Sequence, residues 1–141
     1  SSAASDVYKR QAQEVVIAGG GSVLVQISRE LEAFADEFEG DEAVGVRAVA
    51  KALTRPAFWI AENAGKDGAV VVYHIGELEN GNGYNAAADT YENLIESGVI
   101  DPVKVTHSAV VNATSVARML LTTEASVVDK PEEEPQHDHA H

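Results

Sequence analysis

The chain has 141 residues, 45% of them hydrophobic and only 6% aromatic, which suits one globular domain, or a large piece of one, with a core of Val, Ala, Leu and Ile. Its 23 acidic residues against 10 basic ones give a net charge of −13, and no Lys/Arg cluster is present to neutralise phosphates, which argues against nucleic acid as a partner. There is no cysteine, so no disulfide or thiolate zinc site, and no apolar run approaches the ~20 residues that cross a bilayer.

Ser1 to Gln11, SSAASDVYKRQ, has no apolar period and no continuity with the residues after it. It reads as a non-native leader or a disordered terminus, so residues 1–12 are set apart from a folded body at 13–130. Val15-Val16-Ile17 leads into Ala18-Gly19-Gly20-Gly21, where glycines allow a turn or a close backbone approach, and Ser22 is placed to cap a helix. That helix is marked by Leu24, Ile27, Leu31, Phe34 and Phe38 at spacings of three or four. Gly40 is expected to stop it and Asp41 to cap the next, whose apolar stripe is Val44, Ala48, Val49, Ala52 and Leu53. Thr54-Arg55-Pro56 starts a third helix carrying Phe58, Trp59 and Ile60, with Gly65 as its C′ residue.

Ala69 to Ile75, AVVVYHI, reads as a buried strand by propensity, while periodicity leaves a short helix open; His74 inside it is expected to be packed rather than a metal ligand. The stretch from Gly81 to Val105 is turn-rich and polar. Tyr84 to Tyr91 reads as a hairpin turning over Ala87-Ala88-Asp89, followed by a short helix at Glu92 to Glu96 that Gly98 ends. Asp101-Pro102 reads as a helix start, a carboxylate N-cap followed by proline at the first position. The helix beyond it would turn Val105, Ala109, Ala113, Val116, Ala117, Leu120 and Leu121 inward. Ser126 to Val128 reads as an extended edge segment, and 131–141, PEEEPQHDHAH, as a disordered acidic and histidine-rich tail.

Taken one at a time, these features leave function open. The three glycines serve a hinge or the approach of a phosphate or ribose; Asn85 is a turn residue, and Asp101 a helix cap. His137, His139 and His141 could bind a transition metal, though a tail preorganises nothing. No nucleophile–base set has a recognisable motif.

In order and at this spacing, however, AGGG at Ala18 to Gly21, EGDEAVGVRAVAKAL at Glu39 to Leu53, GYNAA at Gly83 to Ala87 and IDPVKV at Ile100 to Val105 resemble the group I chaperonins of the GroEL type. So does NATSVARMLLTTEASVVDKP at Asn112 to Pro131, and the likeness runs from about Glu14 to Pro131. The resemblance implies a mainly α fold, the C-terminal part of a helical equatorial domain with a small β-hairpin and a C-terminal edge strand, and it makes Ala69 to Ile75 helical. It implies an ATP-hydrolysing, cytoplasmic protein-folding machine of the isomerase class, built as a homo-oligomeric double ring. Its partners would be a co-chaperonin and unfolded clients, reached through an apical domain, with neither nucleic acid nor membrane.

By the same resemblance Gly20 lies against the nucleotide, Asn85, Ala86 and Ala87 line the adenine pocket, Val99 faces the base and Asp101 reaches the ribose hydroxyls. The phosphate loop with its Gly-Asp-Gly-Thr-Thr motif, the magnesium-binding aspartate and the aspartate that positions water have no counterpart in this sequence. Asp6 is not a substitute. The chain alone is therefore expected to hold at most the nucleoside side of ATP, without the magnesium, and to show no turnover. Two departures stand out: His107 replaces the family's usual Arg, and the histidine tail replaces Gly-Gly-Met repeats, as in actinobacterial paralogues. The tail also supports a rival reading, a non-enzymatic paralogue acting in interaction or metal binding.

Overall fold

The computed structural model describes residues 15–123. The chain divides into two compact units, the first ending at Ser108 and the second beginning at Ala109. In the first, β1 (Val16–Ala18) runs into the glycine turn and then α1 (Ser22–Ala35), α2 (Gly40–Leu53), α3 (Arg55–Asn63) and α4 (Gly68–Glu77). A hairpin of β2 (Asn82–Asn85) and β3 (Thr90–Asn93) comes next, then β4 (Ile100–Pro102) and the start of α5 (Val103–Leu121). The mainly α expectation holds, and the segment with strand-like propensity is helical.

The reason lies at the start of α4. Asp67 accepts hydrogen bonds from the amides of Ala69 and Val70, at 2.9 and 3.1 Å, and so fixes the first turn. Val71 and Ile75, four apart, then reach the core, which outweighs the β preference of a short valine run. That core comprises Val25, Ala57, Ala61, Val71, Ile75 and Tyr84, with Val72 and Ala86 packed against it. It joins α1, α3, α4 and the hairpin.

Other boundaries and faces differ from expectation. Helix α1 buries Ser22, Val25, Gln26, Ser28 and Ala35, while Ile27 and Phe34 of the expected stripe are exposed. Helix α2 buries Ala43 and Ala50 and leaves Val44 and Val49 outside. Periodicity finds an apolar face, but the contacts choose the neighbouring row with small side chains. Ser22 is not a cap: Gly21 holds the N-cap position, and the enclosed Ser22 hydroxyl has no hydrogen-bond partner among the described residues. Asp41 lies in the first turn of α2 behind Glu39 at the N-cap, where its charge still suits the helix dipole. Pro56 and Gly65 stand where the sequence puts them, in the first turn of α3 and just past its end. Trp59 is half exposed, its ring edge-on to Phe58 and under the Arg55 guanidinium.

The expected helix at Glu92 to Glu96 is not formed. β3 continues to Asn93, whose side-chain oxygen accepts from the amides of Ile95 and Glu96, and this makes a single capped turn. Gly98 then takes a left-handed φ of 78° and ends it before a second turn can form. Asp101-Pro102 is likewise not a cap and first helical residue. Both belong to β4, opposite Ile17 and Val16, and α5 begins at Val103. Proline is tolerated there because the strand is short and at a sheet edge.

In the second unit, the continuation of α5 carries back-bonds from Thr114 to the Val110 carbonyl and from Ser115 to that of Val111. No residue of α5 is buried, so the inward row expected of Val105 to Leu121 has no cover among the described residues. The expected edge strand at 126–128, the leader at 1–12 and the tail at 131–141 lie outside the described residues.

Glycine-to-alanine changes separate backbone demand from helix propensity. At Gly21, with φ of 73°, an added Cβ would stand 2.7 Å from the Ala57 amide nitrogen. Gly21→Ala is expected to cost about 2 kcal/mol or more. At Gly45, inside α2, an added Cβ meets nothing within 4 Å, so Gly45→Ala is expected to stabilise by about 0.5–1 kcal/mol. Urea midpoints of opposite sign would bear this out; a neutral Gly21→Ala would refute the close packing at the turn.

Candidate functional site

Three stretches far apart in sequence meet at the glycine turn. The strands β1 and β4 pair antiparallel, with Ile17 opposite Asp101 and Ala18 opposite Ile100. The Gly19 amide then donates to the Val99 carbonyl at 2.9 Å, carrying the pairing one step past the strands. Gly20 has a φ of 64° and presents its α-carbon to the Tyr84 carbonyl, which would lie 3.4 Å from any Cβ built there. Beside it, Gly83 is pressed on Ser22 at the start of α1, too close for a side chain. The absence of side chains on this turn is what lets β2 and β4 come to its two sides.

The residues singled out in the sequence are thus partly brought together. Gly20, Val99 and Asp101 share the turn and its paired strand. Asn85, Ala86 and Ala87 join through Tyr84, their neighbour in the chain. Tyr84 is 4% exposed and Ala86 rests on the core, so the near end of the hairpin is rigidly based. Ala87 lies in the exposed turn. Asp101 is half-buried and makes no ion pair among the described residues, which leaves its carboxylate able to accept from hydroxyl groups. An apolar groove of about 270 Å³ runs beside β1, lined by Val16, Ile17, Val23, Ile27 and Ile95; none of the six candidate residues lines it.

Asn85 is spent largely within the hairpin. Its side-chain oxygen accepts from the amides of Ala87 and Ala88, at 3.1 and 3.2 Å, and its Nδ2 donates to Glu92 Oε1 at 2.6 Å. The far side of the loop is held by Asp89, a non-glycine residue at φ of 56°. One Asp89 oxygen accepts from the Tyr84 hydroxyl at 3.0 Å, the other from Lys66 Nζ at 2.6 Å. Tyr91 stacks obliquely on Tyr84, and His74, which is exposed rather than packed inside, stacks on Tyr91. Sequence reading placed Asp89 in the turn of this hairpin but missed its ties, and missed Lys66 and Glu92 as partners of the hairpin. The alternation of Asn85 and Glu92 across a short turn was available as a signal; Lys66, 23 residues before Asp89, offered none.

Among the described residues, no three His, Cys, Asp or Glu side chains are grouped to hold a metal ion. The donor set therefore does not fit magnesium, while it does suit a nucleoside: close backbone at Gly20, small residues at Ala86 and Ala87, and one carboxylate. No described helix is long and apolar enough to cross a membrane.

Residues 2–131 match the model of the TCP-1/cpn60 chaperonin family. The chain belongs to this family. The match reaches into the opening residues that the sequence reading set apart. The segment is 63% identical over 139 residues to Chaperonin GroEL 1 of Corynebacterium efficiens, covering 98% of this chain and 26% of that protein. It is 69% identical over 128 residues to Chaperonin GroEL 1 of Corynebacterium diphtheriae, covering 91% and 24%. Among solved structures, a group III chaperonin in the open state superposes with a TM-score of 0.74 at 32% identity, over 79% of this chain and 24% of the other. This chaperonin segment is of the GroEL type, and it spans about a quarter of the curated relatives it matches.

The Lys66–Asp89–Tyr84 tie sets a pH window for the hairpin. The hydrogen bond from Lys66, then that from Tyr84, holds the Asp89 carboxyl below its ordinary value, and the bond to Asp89 raises Lys66 above its own. Burial, then the bond to Asp89, pushes the Tyr84 phenol up. What Asp89 contributes is present above the ordinary carboxylate range and lost as pH falls through its lowered folded value; what Lys66 contributes is present below the ordinary lysine value and lost as pH rises through its raised one. Tyr84 ring resonances are therefore expected to stay flat across neutral pH and shift only at the acid and alkaline ends. Asp89→Asn should abolish the acid transition. A transition near neutrality would contradict the tie.

Proposed function

We propose that this segment forms the nucleoside side of the ATP site in a chaperonin subunit that assists protein folding. The observation that carries the reading is the meeting of Gly20, Val99 and Asp101 around a side-chain-free turn, with the Tyr84–Ala87 strand end beside it, in a chain of the chaperonin family. Asp101 accepts from the ribose hydroxyls, Gly20 lets the ligand approach the backbone, and Asn85 to Ala87 with Val99 bound the base. The first turn of α1 has no acidic residue and no side-chain cap, which favours the anionic end of a nucleotide nearby.

In the intact subunit, ATP acts by favouring one ring state over another, and these residues sense the nucleotide rather than carry out its hydrolysis. Chemistry on the γ-phosphoryl group needs magnesium and an oriented water, and no metal-holding group of side chains is found among the described residues. The intact protein works in the cytoplasm as a homo-oligomeric ring with a co-chaperonin and unfolded clients. The exposed Val44, Val49 and Trp59 of the first unit, and Leu121 of the second, support burial against further protein, since large apolar side chains in water call for a cover.

In a full-length subunit containing this segment, Asp101→Ala is expected to weaken ATP binding about tenfold, the loss of hydrogen bonds to a charged group. Calorimetric titration reads it, and unchanged affinity would reject the nucleoside assignment. The segment alone is expected to release no phosphate from ATP with magnesium. Turnover in a preparation free of other chaperonin would overturn that part.

A further inference from the structure

Asn85 draws attention because its side chain points into the hairpin rather than away from it. Its orientation is determined by chemistry on both ends. Two backbone N–H groups meet the oxygen and a carboxylate meets the nitrogen; flipping the amide would set donors against donors and an oxygen against Glu92. At 2.6 Å the bond to Glu92 is short, as expected when the acceptor is charged. It runs diagonally across the hairpin, from Asn85 in the loop-closing pair with Thr90 to Glu92, two residues farther along β3 and opposite Gly83. Both partners are half-buried, which limits competition from water.

The consequence is that the loop from Ala86 to Asp89 takes its shape from Asn85, and Asn85 takes its orientation from Glu92. Without that acceptor, the amide can rotate and release the Ala87 and Ala88 N–H groups, and the backbone of the loop loosens with them. Asp89 and Lys66 anchor only the far end of the loop.

We propose that Glu92 is a positioning residue for the base-facing wall of the nucleotide site: through its hydrogen bond to Asn85 Nδ2 it fixes the backbone of Asn85, Ala86 and Ala87 in the form that receives adenine in preference to other bases. It touches no ligand itself. The inference rests on the nucleoside reading of the site, and it concerns discrimination between bases more than overall grip, because ribose and phosphate are met elsewhere.

The test uses a full-length subunit containing this segment, with ATP and GTP affinities measured by titration for Glu92→Ala, the near-isosteric Glu92→Met, Glu92→Gln and Asp101→Ala. Two acceptor-free variants are made so that one can be read if the other fails to fold. The expected result is an ATP affinity about tenfold weaker in the Ala or Met variant, with GTP affected much less. Gln, whose amide oxygen still accepts, should recover most of the loss. In an Asn85→Ala background, removing Glu92 should have no further effect, since it acts through Asn85. Parent-like ATP affinity in the Ala and Met variants, with Asp101→Ala weakened, overturns the proposal and leaves the nucleoside site standing. Equal losses for ATP and GTP, or a Gln variant as weak as Ala, also overturn it, because that is the mark of a merely structural residue. An Asp101→Ala variant that binds ATP normally removes the site reading on which the proposal depends.

Discussion

The short antiparallel pairing of β1 with β4 is the constraint on which the site depends. It closes a loop that contains four helices and the hairpin, and it does so with three residues on each side. A pair that small is marginal alone. It persists because it is extended at both ends, by the Gly19 amide on the Val99 carbonyl and the Val103 amide on the Val15 carbonyl, and because α1 leaves directly from it. Loop closure of this length costs little more than that of a shorter one, so a few well-placed bonds backed by packing suffice. Asp101 is therefore carried by a strand and not by a frayed helix end, which gives its carboxylate a fixed station beside the turn.

The packing of the helices has a consistent character. Alanines at 35, 43, 50, 57 and 61 are buried, whereas several of the larger apolar side chains on the same helices are outside. Small buried residues let helices approach closely but withdraw little apolar surface, so each such contact contributes less than a buried leucine would. The few larger buried groups are Val25, Val71, Ile75, Tyr84 and Leu94, and the first four of them share one cluster with the hairpin residue Ala86 packed against it. Tyr84 and Ala86 at the base of the candidate site rest on this core, where rigidity serves recognition.

Much of this was legible in the sequence for reasons that can be named. Three glycines before a helix signalled a backbone that others would approach, and Gly20 and Gly21 are left-handed. The helical reading of Ala69 to Ile75 came from the family resemblance against local propensity; Asp67, unremarked in the sequence, supplies its physical basis. Two things were not legible. Which face of α1 turns inward depends on what packs there: Val25 is buried among Ala57, Ala61, Val71, Ile75 and Tyr84, all more than 25 residues away, while Ile27 and Phe34 are left outside. Asp101-Pro102 carried both marks of a helix start, yet β1 captured it as a strand. The tie of Asp89 to Lys66 joins polar residues whose spacing carries no period, so no pattern announced it.

Hydrogen exchange on a full-length subunit containing this segment, with and without ATP, tests the convergence most directly. If the turn, the hairpin and β4 form one nucleoside site, ATP slows exchange together at residues 19–21, 85–88 and 99–101. Protection in one of these stretches without the others, or confined to the groove beside β1, would contradict it.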